Sequence, residues 1–139
     1  MPTNSETEQS LRIALKVKGL QLTKQRRPGE TGVDIIASRN GTSYHIEVIG
    51  FKTSPPARTR DFCQAFFQTI SRLNEGASHC AIALLQKFSL GLHQRAKQYF
   101  VGWERIGLVF PELEIWLVDT DKNTYIATAW NSWLKQKIL

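Results

Sequence analysis

The chain has 139 residues, 42% of them hydrophobic, which is enough for one domain with its own core. Its 18 Lys and Arg against 12 Asp and Glu give a net charge of +6, which favours a polyanionic partner such as nucleic acid. Two isolated cysteines argue against a disulfide-rich secreted fold, and no apolar run is long enough for a membrane span. We therefore expect a soluble cytoplasmic protein with no membrane partner.

Before Pro28 the pattern predicts a helix and then a strand. Ser5 and Glu8 have the spacing of a capping box, and apolar residues follow at helical spacing until Gly19 ends the helix. Residues 19–27 alternate as in a strand, and the Pro28-Gly29 pair favours a loop after it.

Residues 32–50, GVDIIASRNGTSYHIEVIG, predict a β-hairpin. The Asn40-Gly41 pair lies between two β-rich runs and indicates a two-residue type I′ turn. Counting outward from this turn pairs Asp34 directly with Glu47. Because side chains alternate along a strand, both acids share a face with Ile36, Ser38, His45 and Ile49. The opposite face is the predicted core face and carries Val33, Ile35, Ala37, Tyr44, Ile46 and Val48.

After the hairpin, helices and strands alternate. The Pro55-Pro56 pair closes the hairpin unit, and apolar spacing predicts helices over residues 60–75 and 89–106. HCAIALLQ predicts a strand buried on both faces, LEIWLVD another, and residues 124–129 an edge strand. Helical spacing recurs in the C-terminal segment 130–139, at Trp130, Trp133, Leu134 and Ile138, which would pack on its own domain or on another subunit.

These elements predict one α/β domain over residues 1–139, with helices on both faces of a mixed sheet. The sheet is antiparallel in its first part and parallel in its later part, because the first strands are joined by tight turns and the later ones by helices.

Two carboxylates directly opposite each other on a sheet repel, because their Cβ atoms are only about 4.5–5.5 Å apart. A hard divalent cation such as Mg²⁺, with Mn²⁺ as a substitute, would compensate, held by Asp34, Glu47, a main-chain carbonyl and waters. A shared proton, pairing of each acid with Arg or Lys at a solvent edge, and a slip in hairpin register remain alternatives. A metal on a basic domain indicates metal-assisted attack of water on a phosphodiester.

Two groups of basic residues flank the hairpin in sequence and form two predicted loops. Solvated loops are the alternative explanation for such runs. In a nucleic-acid-binding protein these residues would contact phosphates: Lys24, Arg26, Arg27, Lys52, Arg58 and Arg60.

The order of elements, with VD on the first hairpin strand and EVIG on the second, resembles the PD-(D/E)XK superfamily over residues 5–86. This superfamily comprises restriction-endonuclease-like nucleases, including restriction enzymes, homing endonucleases and Holliday-junction resolvases. The resemblance implies a restriction-endonuclease-like αβββαβ core. It also implies metal binding by Asp34, Glu47 and the carbonyl of Val48. Glu8 matches an additional acid that some members carry on the first helix, and the capping box is its alternative role.

One position departs from the superfamily pattern. The lysine that normally positions or deprotonates the attacking water is replaced by Ile49, which binds no proton. Three substitutes are conceivable: Lys52, brought to the carboxylate face by a β-bulge at Gly50; Gln64 and Gln68, one helical turn apart; and His45, on the face of the acids.

The resemblance implies a metal-dependent DNA endonuclease of the restriction or homing type. Cutting both strands of double-stranded DNA needs two such small units, so we expect a homo-oligomer, a dimer or tetramer. The alternative is a catalytically inactive nuclease-fold protein for DNA binding or assembly, and a basic protein–protein adaptor is a third possibility.

Overall fold

In the computed structural model, which describes residues 2–27 and 32–135, six strands form one mixed sheet in sequential order. The first three strands and the last pair are antiparallel, and the third, fourth and fifth strands run parallel. The predicted antiparallel start is thus confirmed, whereas the parallel part covers only these three strands, because the last strand turns back to pair antiparallel with its neighbour. The strands are β1 (Gln21–Leu22), β2 (Ile35–Arg39), β3 (Thr42–Val48), β4 (His79–Leu85), β5 (Leu113–Asp119) and β6 (Thr124–Ala129).

Helices cover both faces of the sheet and create two apolar layers. On one face the first helix, α1 (Asn4–Val17), buries Leu11 and Leu15 against Ile35, Ile46 and Trp116. The second layer is larger and contains Ile49, Phe62, Ile82, Leu92 and Trp103 among its members. The helices are α1 (Asn4–Val17), α2 (Pro55–Ser71), α3 (Ser89–Gln98) and α4 (Phe100–Val109). The predicted α/β class is confirmed: one mixed sheet lies between helices, and the elements follow the predicted αβββαβ order.

The hairpin has the predicted turn and register. Asn40 and Gly41 both have positive φ, 52° and 81°, as a type I′ turn requires. Ser38 pairs with Ser43 and Ile36 with His45. The ladder ends at Ile35 and Ile46, so Asp34 lies one residue before the strand rather than within the ladder.

The start of the chain differs from the prediction in two ways. The capping box consists of Thr3 and Glu6, so the Ser5 and Glu8 assignment was wrong. The predicted strand over residues 19–27 ends at Leu22, because Thr23 forms only one of the two main-chain bonds of a ladder pair, from its N–H to the Ile36 carbonyl at 3.1 Å. The Thr23 carbonyl accepts from buried Arg12, while its hydroxyl, and not a carbonyl, accepts the N–H of Ile36 at 3.0 Å.

The prolines after the hairpin begin a helix instead of closing a loop. Ser54 caps α2 by accepting the N–H of Ala57 at 3.1 Å, and prolines are tolerated in a first helical turn because its N–H groups lack intrahelical partners. Arg58 and Arg60 therefore lie on a helix, whereas Lys52 and the first group of basic residues lie in irregular segments. The helix ends at Ser71 and a 3₁₀ turn, Arg72–Glu75, follows it.

The predicted helix over residues 89–106 is two helices, separated at Tyr99. Next to this break the indoles of Trp103 and Trp130 stack with centroids 4.0 Å apart. Each Nε1–H donates to the main-chain carbonyl of the other residue, at 2.9 and 2.8 Å. Tertiary packing thus overrides the helical periodicity.

The C-terminal segment is a 3₁₀ helix, Trp130–Leu134, instead of the expected amphipathic α-helix. Trp130 and Trp133 are buried in the protein's own core, so this part of the segment is not a subunit interface. The positions predicted at Ile138 and at the Pro28-Gly29 loop lie outside the described residues. Over the described ranges no helix is both long and apolar enough to cross a membrane.

Gly50 marks a close contact between the end of β3 and the start of α1, and it provides a test of this packing. A Cβ added at Gly50 would lie 2.2 Å from the Asn4 nitrogen and 2.4 Å from the Thr3 carbonyl carbon, both backbone atoms. We expect Gly50→Ala to lower the free energy of unfolding by about 1–3 kcal/mol in urea titrations. Gly91→Ala, in α3 with no atom within 4 Å of the new Cβ, is the control and should be neutral or stabilising. Equal stability of Gly50→Ala and the wild type would contradict this packing.

Candidate functional site

A cavity of about 560 Å³ lies between the hairpin end and α2, and we call it the carboxylate cavity. Both acids singled out in the sequence line it. Its polar wall consists of Asn4, Arg26, Asp34, Glu47, Lys52, Asp61, Gln64, Gln68 and Arg72. The fold therefore brings the hairpin acids together with basic and amide groups from α2 and from the segment before β2.

Asp34 is fixed from two sides. Its Oδ1 pairs with Arg26, and its Oδ2 accepts the N–H of Val48 at 2.8 Å. Since the N–H and C=O of one strand residue point to the same edge, the Val48 carbonyl is directed to the side of Asp34. The main chain is held as well, because the Asp34 carbonyl accepts from Arg12 at 3.1 Å.

Glu47 is a buried acid, with only 4% of its surface exposed. Nε and Nη2 of Arg72 both lie 3.1 Å from its Oε1. Burial first, and then the nearby charge of Asp34, raise the pKa of Glu47 from 4.5 to about 7, although Arg72 acts in the opposite direction. The two acids thus interact as the sequence suggested, and Glu47 exchanges its proton near neutral pH.

Arg72 is a site residue that the sequence analysis missed. It connects Glu47 to Glu75, which accepts from its Nη1 at 3.2 Å. The signal was present, because Gln64, Gln68 and Arg72 follow each other at intervals of four and so form one stripe along α2 and the turn after it. The two glutamines were recognised, but the stripe was not extended by one more turn.

Lys52 was one of the three substitutes considered for the lysine of the PD-(D/E)XK pattern, and it also lines the carboxylate cavity. Strand β3 ends at Val48, so no bulge at Gly50 is involved in placing it there. Its Nζ lies 3.9 Å from Oδ2 of Asp61. Ile49 itself is buried in the apolar layer beneath α2 and forms part of the cavity wall.

Two candidates do not reach this cavity. Glu8 binds Arg12 at 2.8 Å, so among the described contacts it serves to orient that arginine and is neither a cap nor a cavity residue. His45 lies in β3 two residues before Glu47 and does not line the cavity. Burial lowers the pKa of His45, with Glu75 and Arg72 acting on it in opposite directions.

The predicted phosphate-contacting residues are divided among several places. Arg26 and Lys52 line the carboxylate cavity, and Arg58 lines a neighbouring cavity beside α3. Lys24, Arg27 and Arg60 are exposed on the surface.

The donor set of the carboxylate cavity fits a hard cation in part. Asp34, Glu47 and the Val48 carbonyl are oxygen donors on one wall. Burial first, and then the charge of Asp34, raise the pKa of Glu47, and a cation would offset that charge. Each acid already has an arginine partner, as one alternative in the sequence analysis supposed. No cluster of three or more His, Cys, Asp and Glu side chains suited to a metal occurs among the described residues, so the set depends on the main-chain carbonyl and on waters.

Solved structures of the same fold are known. An XisH family protein from Nostoc punctiforme is 19% identical, with a TM-score of 0.57 over 89% of this chain and 98% of that one. A fdxN element excision controlling factor protein from Anabaena variabilis is also 19% identical, with a TM-score of 0.57 over 88% of this chain and 96% of that one. The chain matches no protein-family model and no curated protein. At this identity the likeness shows the fold.

The buried acid gives the stability a specific pH dependence. Because the folded protein binds the Glu47 proton more tightly than the unfolded chain does, this group favours folding less as the pH rises from about 4.5 to about 7. We expect the stability of the wild type relative to Glu47→Gln to fall by about 2–3 kcal/mol over this interval, measured by urea unfolding at a series of pH values. A difference that does not change with pH would show that Glu47 titrates normally.

Proposed function

We propose that the protein is a metal-dependent DNA endonuclease of the restriction or homing type, with its active site in the carboxylate cavity. The observation that carries the proposal is the placement of Asp34 and Glu47 on one cavity wall, close enough for Asp34 to raise the pKa of Glu47. The PD-(D/E)XK resemblance of the hairpin and the shared fold of the structural neighbours support it.

Asp34, Glu47 and the Val48 carbonyl would hold Mg²⁺, or Mn²⁺ as a substitute. When bound, such an ion polarises a phosphoryl oxygen and lowers the pKa of a coordinated water. The arginines that now neutralise the two acids would then be available for the phosphate, which both guanidinium groups can bind in a bidentate manner.

The cavity's own side chains suggest how a phosphodiester is placed. Arg26 and Arg72 lie next to the acids on either side, and Lys52 adds a third positive charge. Gln64 and Gln68 offer amide groups that would orient a water molecule or an oxygen atom of the DNA strand. Since Ile49 takes no proton, Lys52 is the residue on this wall best able to assist the attacking water.

We extend the proposal to double-stranded DNA as the substrate and to a homo-oligomer, dimer or tetramer, as the active form. Exposed Lys24, Arg27 and Arg60 add phosphate contacts outside the cavity. Each unit offers one carboxylate cavity, which would cut one strand. Cleavage of both strands of a duplex therefore needs two units in one assembly.

A second candidate is a nuclease-fold DNA-binding or assembly protein that no longer cuts. Ile49 favours it, because this side chain is buried in the apolar layer where the superfamily has its lysine. The full pairing of both acids with arginines points in the same direction. One structural neighbour is described as an excision controlling factor, a description of control and not of cleavage.

The test of the first candidate is cleavage of supercoiled and linear DNA libraries in Mg²⁺, Mn²⁺ or EDTA. We expect nicking or cutting that requires metal and that falls at least 100-fold in Glu47→Gln, since removing a ligand abolishes the ion's contribution. Glu104→Gln is the control, because Glu104 is an exposed acid that does not line the carboxylate cavity. DNA that is bound but left intact in every metal would favour the second candidate.

The effect of position 49 can be measured separately. Ile49 borders the carboxylate cavity, so a lysine there places an amine beside Glu47. Proton transfer by a positioned group contributes about 10²–10⁴-fold, and we expect Ile49→Lys to raise the cleavage rate by about 10²-fold. Ile49→Met, which has similar length and no charge, should leave the rate unchanged. Equal cleavage rates in the two variants would show that a lysine at position 49 does not assist cleavage.

A further inference from the structure

A second cavity adjoins the carboxylate cavity, and Ile49 belongs to the walls of both. It has a volume of about 250 Å³ and lies between α2, the end of β4 and α3; we call it the α3 cavity. Its floor is apolar and includes Ile49, Phe62 and Leu92, all buried side chains of the large apolar layer. The function proposed above does not use this space.

All the charged side chains that line the α3 cavity are positive. Arg58, Lys87 and Arg95 line it together with the amide of Gln94, and among the described residues of its wall there is no Asp or Glu. This charge is complementary to a phosphate backbone, while the floor is complementary to an uncharged planar group. A nucleotide combines these two properties.

Both guanidinium groups of the α3 cavity are held in place. Nη1 of Arg58 donates to the carbonyls of Lys52 and Thr53 at 2.9 and 3.3 Å, and the group lies 5.5 Å from the ring centroid of Phe88. Arg95 lies 4.9 Å from the Phe62 centroid. Fixed guanidinium planes are surfaces on which nucleic-acid bases stack, at little entropic cost.

The volume limits what enters. Pockets for drug-sized ligands measure about 300–1,000 Å³, so the α3 cavity suits one base and not a base pair. Since Ile49 separates the two cavities, a strand whose phosphate occupies the carboxylate cavity has its adjoining nucleotide within reach of the α3 cavity.

From these observations, and resting on the proposed function, we infer that the α3 cavity receives a single nucleobase turned out of the DNA strand bound at the carboxylate cavity. The substrate class is then DNA with an unpaired or weakly paired base beside the scissile phosphate. Turning out a base costs a few kcal/mol in paired DNA and least at a mismatch, so binding should discriminate between them.

The glycine at position 91 allows the cavity to be filled without a clash at Cβ. Gly91 lies in α3 on the cavity wall, and an added Cβ would meet no atom within 4 Å. Leucine is also a better helix former than glycine, so Gly91→Leu should retain the helix. Gly102→Leu is the matched control, a glycine of α4 with equally open space and no place in the α3 cavity.

The experiment measures the affinity of each protein for two short duplexes of the same sequence, one fully paired and one with a single central mismatch, in EDTA at low salt. Unfolding curves verify that both variants fold. The wild type and Gly102→Leu should bind the mismatched duplex about tenfold more tightly, because 1.4 kcal/mol corresponds to a factor of ten. Gly91→Leu should bind both duplexes alike, with the affinity that the wild type has for paired DNA.

The contrary results separate the two proposals. If the wild type binds paired and mismatched DNA equally well, the base pocket is refuted and the DNA-binding proposal stands. If Gly91→Leu keeps the preference for the mismatched duplex, or lowers the affinity for both duplexes by the same factor, the cavity is not a base pocket. If the wild type binds neither duplex, the proposed function fails, and the further inference fails with it.

Discussion

The carboxylate of Glu47 is buried at the end of a central strand, and the surroundings of the carboxylate cavity are arranged around this one charge. A buried carboxylate is costly unless it is paired, protonated or bound to a cation. Arg72 supplies the pairing and Asp34 supplies a second negative charge that opposes it. A fold selected for stability alone would place an apolar side chain here. We therefore propose that the two acids on one cavity wall serve a bound cation.

The same short stretch of chain connects the two cavities. The N–H of Val48 holds Asp34, the Ile49 N–H continues the pairing with β4 at 2.8 Å, and Gly50 lets α1 approach. In our proposal Ile49 stands where the PD-(D/E)XK pattern has its lysine, and it forms a wall instead. In our account this wall divides a phosphate site from a base site, which gives position 49 a role even though it contributes no proton chemistry.

Much of this arrangement could be predicted from the sequence, because it depends on local rules. The Asn40-Gly41 turn fixed the hairpin register, and register determined which face carries the acids. Element order then predicted the mixed sheet. The ladder's early end at Ile35 was not visible, because it depends on the side chain of Asp34 bonding to Val48.

The features that sequence analysis missed are set by distant contacts. Arg72 comes to Glu47 only when α2 packs on the sheet, and Arg12 reaches the carbonyls of Thr23 and Asp34 only when α1 packs beside them. The break at Tyr99 lies beside the stacked indoles of Trp103 and Trp130, which are far apart in the sequence. Local periodicity contains no information on such contacts, whereas the stripe of Gln64, Gln68 and Arg72 was a local signal that could have been used.

The central claim is that Asp34 and Glu47 together hold a divalent cation, and calorimetric titration of the purified protein with Mg²⁺ and Mn²⁺ tests it most directly. The account predicts saturable binding by the wild type and by Glu104→Gln, and its loss in both Asp34→Asn and Glu47→Gln. Binding that survives in either of these two variants, or no binding by the wild type, would contradict the account.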